Sequence, residues 1–117
     1  MRQLKFKYYM QHEDTGHITS RIFELEELES YDGFQEPHRY FTFKRCQFTG
    51  LFDKQGTEIY EGDIVEWGKD TILYVSYEHN HFVLHYPNQD NAFVDFPYFQ
   101  ESEVIGNIYE HSYLLEV

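Results

Sequence analysis

The chain has 117 residues, 41% hydrophobic and 20% aromatic, with nine Lys or Arg against 21 Asp or Glu and a formal net charge of −12. This length suits a single domain with one core, the apolar content excludes intrinsic disorder, and no apolar run reaches the roughly 18–20 residues of a membrane-spanning helix. One cysteine, Cys46, excludes an internal disulfide and fits a reducing compartment; the opening MRQLKFKYYMQHED lacks the continuous apolar region of a signal peptide, so a cytoplasmic protein is expected.

The charge is unevenly placed. Residues 1–50 carry seven Lys or Arg against eight acids, a net of −1, whereas residues 51–117 carry two against thirteen, a net of −11. Such a surface repels phosphate backbones at long range and attracts basic partners, so direct nucleic-acid binding is not expected. Acidity also keeps an aromatic-rich protein soluble, which is the competing account of the same residues.

In chain order, LKFKYY (4–9) alternates at its start and predicts a strand, and Glu13-Asp14-Thr15-Gly16 predicts a turn. A returning strand follows from His17 to about Phe23. One or two helical turns come next, because Ile22, Leu25 and Leu28 fall three apart. SYDGFQEPH (30–38) reads as loop. Arg39–Phe43 and Cys46–Phe52 predict two strands. Asp53-Lys54-Gln55-Gly56 predicts a type I turn with a Gly bulge, because Asp can bond the backbone two residues on and Gly accepts a left-handed conformation. Thr57–Tyr60 then returns, Glu61-Gly62-Asp63 bends the chain, and Ile64–Trp67 opens the next strand. Gly68-Lys69-Asp70 leads into a strand at Thr71–Tyr77, and Glu78-His79-Asn80-His81 into another at Phe82–Tyr86. A loop at Pro87–Asn91 precedes a short strand at Phe93–Phe96. Val104–Tyr109 closes the series, with Gly106 predicting a bulge or a close backbone approach.

Short strands with regularly spaced turns predict a mainly β fold, all-β or α+β. We expect one domain over 1–117, with N-terminal strands, a loop and room for one short helix in 1–46, and a small SH3-like barrel portion in 47–117. That likeness carries no activity.

QFTGLFDKQGTEIYEGDIVEW (47–67) closely resembles the central signature of the YopX family, EVIGNIYEHSYLLEV (103–117) resembles its C-terminal signature, and MRQLKFK resembles its usual start. Tyr8 and Tyr9 stand where that family carries an early Trp, and residues 24–45 find no counterpart in it. The resemblance implies a largely β fold and a phage or prophage protein working in the cytoplasm of a bacterial host. It implies no established activity, so it supplies no catalytic residues.

Among individual residues, Cys46 lies in a strand and reads as a buried thiol, because adjacent Lys44 and Arg45 cannot both face it. His81 and His85 would share a strand face, with His79 nearby, and form the one weak metal candidate. Glu58, Glu61 and Asp63 admit an acid–base reading, against which Asp63 buttresses the Gly62 bend. No Gly-rich phosphate loop precedes a helix. Three acidic clusters remain: Glu24, Glu26, Glu27, Glu29 and Asp32; Glu58, Glu61, Asp63 and Glu66; and Asp90, Asp95, Glu101, Glu103 and Glu110. Carboxylates on a rigid scaffold can imitate DNA phosphates, which carry about one charge per 1.7 Å of duplex.

The expectation is a non-enzymatic protein-binding accessory factor without cofactor or metal, directed at a basic, nucleic-acid-binding host protein. Its sharper form is an inhibitor of a host defence nuclease, of the anti-CRISPR or anti-restriction kind and acting as a DNA mimic. One alternative is a module that self-associates as a homo-oligomer through Phe93, Phe96, Tyr98 and Phe99. A metal-dependent enzyme built on His79, His81 and His85 is the third reading.

Overall fold

The computed structural model describes residues 4–30, 34–68, 71–78, 80–87, 93–94 and 98–115. The protein is mainly β, with one four-residue α-helix among the described residues. The chain divides into two compact units, Met1–Phe48 and Thr49–Val117, two residues beyond the inner boundary expected from sequence. Moving the boundary leaves the charge division unchanged, at −1 and −11.

In the first unit, β1 (Lys5–His12) pairs antiparallel with β2 (Ile18–Glu24) on one side and with β3 (Tyr40–Phe52) on the other. The β1–β2 turn needs Gly16, whose φ is +76°, and the His12 Nδ1 accepts the N–H groups of Asp14 and Thr15 at 3.2 Å. Arg39, itself at φ +64°, clamps that turn from β3's leading end. Its guanidinium lies 2.6 Å from Asp14 and 3.1 Å from Glu13, and its carbonyl accepts the Glu13 N–H. β2 gives way to α1 (Leu25–Leu28), where the Glu27 carboxylate accepts the Glu24 N–H at 3.1 Å, half of a capping box.

The two strands expected at 39–43 and 46–52 are one. Lys44 and Arg45 interrupt the apolar pattern, but backbone pairing is indifferent to side-chain polarity, and both residues pair with β1 at Tyr9 and Tyr8. The register shifts between Tyr9 and Met10, which leaves Phe43 as the extra residue of a bulge.

In the second unit, the end of β3 returns into β4 (Glu58–Tyr60) through the Asp53–Gly56 turn. The turn takes the expected form. The Asp53 carbonyl accepts the Gly56 N–H, Gly56 sits at φ +84°, and Asp53 Oδ1 accepts the N–H groups of Gln55 and Thr57 at 2.8 Å. A five-stranded antiparallel sheet follows, comprising β5 (Asp63–Trp67), β6 (Thr71–Glu78), β7 (His81–His85), β8 (Phe93–Val94) and β9 (Ser102–Asn107). Its order is β8-β7-β6-β5-β9, and among the described residues no pairing joins β8 to β9, so no closed barrel is drawn from these pairs.

Cross-strand neighbours on one face of this sheet build the core. Val65 stands opposite Leu73 and Val104, and Val75 opposite Leu84. Ile59, Phe82 and Phe99 complete the cluster, and each side chain fully buried here contributes about 1.5–3 kcal/mol. Two glycines admit rings where a Cβ would collide. One is Gly62, against Tyr109 at 2.8 Å, and the other is Gly106, against His111 at 2.8 Å. Gly106 adjoins a β5–β9 register shift, so the expected bulge and the expected close approach occur together.

Candidate functional site

The acidic residues divide by what holds them. In the first unit, Glu24, Glu26, Glu27 and Glu29 are exposed on and around α1, with one Glu27 oxygen engaged by the cap. Asp32 lies outside the described residues, as do Asp90 and Asp95.

In the second unit, Asp63 is 2% exposed and its Oδ2 accepts the Tyr60 N–H at 2.8 Å. It buttresses the Gly62 bend and is removed from the acidic surface on which the sequence placed it. Its former companion Glu58 is half-buried and accepts the Tyr60 hydroxyl at 3.0 Å. Burial raises the Tyr60 phenol above its ordinary value of 10.0, and the hydrogen bond and charge of Glu58, then the charge of Asp63, raise it further. In this trio an Asp63 oxygen is engaged by the Tyr60 N–H and a Glu58 oxygen by the Tyr60 hydroxyl. Glu61 is partly exposed at the bend.

Glu66 parts from that group. On the β5–β9 ladder it stands directly opposite Glu103, and the next pair along is Trp67 with Ser102. Trp67 Nε1 donates to Glu101 at 3.1 Å, and Lys54 Nζ lies 3.8 Å from Glu103. The structure thus joins Glu66, from one sequence cluster, to Glu101 and Glu103, from another. Like charges directly opposite on a sheet are destabilising, and Lys54 offsets part of that cost. Glu110 is exposed and accepts the Asn107 amide at 3.1 Å. Sequence reasoning missed Asp53 as a buried tie: it is 6% exposed, and its Oδ2 accepts the Val104 N–H on β9 at 2.8 Å. The sequence carries no signal for this long-range bond.

His81 and His85 do share a face of β7. His85 is buried, donates through Nδ1 to the Tyr86 carbonyl at 2.6 Å, places Nε2 3.5 Å from Glu78, and stacks on Tyr74 at 5.0 Å. His79 lies outside the described residues. Among the described residues no three His, Cys, Asp or Glu are grouped to hold a metal ion. Cys46 is fully buried, opposite Lys7.

Of the aromatics assigned to self-association, Phe99 is fully buried in the core, because the turn at 98–101 directs it inward. Phe96 and the side chains of Phe93 and Tyr98 lie outside the description. Among the described residues, the large exposed aromatics are Phe41, Phe43 and Phe52 on β3, together with Tyr77 and Tyr113.

The chain matches the YopX protein family over residues 2–116, a span that takes in residues 24–45. It is similar to the crystal structure of protein EF1440 from Enterococcus faecalis, with 19% identity and a TM-score of 0.55, covering 99% of this chain and 100% of that one. At that identity the likeness shows a shared fold alone. No curated protein matches. With both units inside the family match, the chain belongs to the YopX family.

Proposed function

We propose that this protein is a non-enzymatic, protein-binding accessory factor of phage or prophage origin, working in the bacterial cytoplasm. Its second unit engages a basic, nucleic-acid-binding host protein. In its sharper form it inhibits a host defence nuclease, of the anti-CRISPR or anti-restriction kind, with carboxylates occupying places that DNA phosphates would take.

The supporting observation is charge segregation with a cross-strand focus. The 49–117 unit holds two Lys against thirteen acids, and its β5–β9 ladder sets Glu66 opposite Glu103 beside Glu101. A cation-rich partner offsets the repulsion that this arrangement costs the free protein. The test is binding to purified restriction and CRISPR nucleases at several salt concentrations, with duplex DNA as competitor. Affinity should fall as salt rises, DNA should compete, and the triple reversal Glu66→Lys, Glu101→Lys, Glu103→Lys should abolish binding. Salt-independent binding, or binding indifferent to the triple reversal, overturns the proposal.

Self-association remains a second reading, now favoured by Phe41 and Phe43, which are 44% and 38% exposed. Sedimentation across a concentration series should then show an oligomer that Phe41→Ser with Phe43→Ser dissolves.

A further inference from the structure

On the sheet of the first unit, Tyr8 of β1 stands directly between Arg21 of β2 and Arg45 of β3. Residues opposite one another on a sheet share a face, so these three side chains form one row. The Arg45 guanidinium lies 5.2 Å from the Tyr8 ring centroid, and that of Arg21 lies 4.8 Å from the Phe23 centroid. Phe34 packs edge-to-face on both rings, at 5.1 Å from Tyr8 and 4.8 Å from Phe23. Beside them lies an open pocket of about 300 Å³, lined by Arg21, Phe23, Glu27, Ser30, Phe34 and Gln35. That volume is at the lower end of the range for small-ligand sites.

Two features distinguish this pocket from incidental surface. The chain has nine Lys or Arg against 21 acids, yet among the described residues neither Arg21 nor Arg45 makes an ion pair. Both guanidinium groups lie on rings, with their in-plane donors open to an anion. The aromatic wall is also paired with hydrogen-bonding groups of both kinds, the Gln35 amide and the Glu27 carboxylate oxygen not used by the cap, whereas the Ser30 hydroxyl already donates to the Glu27 carbonyl at 2.9 Å. An apolar side chain placed here would leave those groups unpaired, which is costly. A heteroaromatic ring, with π faces and a polar edge, satisfies both the wall and the rim.

We propose that this pocket binds a mononucleotide. Its base lies against the half-buried Phe34, the base edge is read by Gln35 and Glu27, and the phosphate is held by Arg21 under the added positive potential of Arg45. The exposed Glu24, Glu26 and Glu29 next to the pocket limit the ligand to one anionic group, because a continuing phosphate backbone would run into them. The site lies within the first unit and does not depend on the proposed protein partner.

The test is titration of the full chain with the four ribonucleoside 5′-monophosphates, the matching nucleosides and inorganic phosphate, followed by amide chemical shifts. At least one monophosphate should saturate, with shifts centred on residues 21–35. Its nucleoside and inorganic phosphate should each bind at least about tenfold more weakly. Phe34→Ala and Arg21→Gln should each lower affinity at least about tenfold, while Glu103→Gln leaves it unchanged. Arg21 is exposed, so Arg21→Gln decides the matter even if Phe34→Ala impairs folding. Absence of saturation by all four up to about 10 mM, affinity unchanged in Arg21→Gln, or tighter binding of a single-stranded oligonucleotide than of the monomer overturns the assignment.

Discussion

Replacing Asp53 probes the tie between the central turn and the sheet of the second unit. Its carboxylate accepts three backbone N–H groups, from Gln55, Thr57 and Val104, each at 2.8 Å. A hydrogen bond to a charged acceptor contributes about 1.5–3 kcal/mol. Water can replace the carboxylate at Gln55 and Thr57 on the turn, less readily at Val104 on β9. Asp53→Ala should therefore cost about 3–5 kcal/mol, a large part of the roughly 6–18 kcal/mol that a chain of 117 residues has in total. Asp53→Asn keeps one acceptor oxygen for the turn but turns a donor amide toward the Val104 N–H, so its cost is about 1–3 kcal/mol. Lys54→Ala, in the same turn, removes only an exposed pair at 3.8 Å from Glu103 and should cost less than about 1 kcal/mol. Urea unfolding of the three variants, at matched m-values, measures all three. The account fails if Asp53→Ala costs under about 1 kcal/mol, if Asn and Ala are equivalent, or if Lys54→Ala matches either.

Two glycines should respond differently to the same change. Gly106→Ala places a Cβ 2.8 Å from the His111 ring and should cost about 1–3 kcal/mol, with a smaller cost in a His111→Ala background. Gly56→Ala meets nothing within 4 Å but keeps φ at +84°, so its cost of about 1–2 kcal/mol should be independent of His111. The two double-mutant cycles separate these cases. Tyr60 should shape the alkaline limb of stability. Its folded-state value is raised above 10.0, so its contribution is complete below pH 10 and is lost as pH rises further, where the unfolded chain ionises first. Tyr60→Phe should therefore lose stability less steeply than wild type above pH 10, and identical slopes would refute the cause given. Cys46, fully buried, should react with a thiol reagent only at the rate of unfolding; rapid labelling of the native protein would contradict its placement.

Turns were the most legible features of this chain, because their causes sit within a few residues. Gly50, Gly56 and Gly62 all have positive φ, at +86°, +84° and +88°, and the Asp53 side chain closes its own turn as Asx chemistry predicts. The change from β2 to helix at Leu25 followed from the three-residue spacing, whereas the Glu27 cap came to light only in the structure. The mainly β class followed from the same punctuation and from the aromatic-rich strands between turns.

What only the tertiary structure decided was which residues meet across strands. Register depends on pairing between distant segments, and a shift of one residue moves a side chain to the opposite face. Glu66 and Glu103, or Arg21, Tyr8 and Arg45, become neighbours only once the ladders are set. Phe99 looks like a surface residue in a string of aromatic and acidic letters, yet burial against distant elements makes it core, whereas the buttress role of Asp63 was legible from the Gly62 bend beside it. The local sequence therefore determined where the chain bends. Long-range pairing decided which carboxylates share a surface and which are structural, because burial and charge proximity belong to contacts that no short stretch contains.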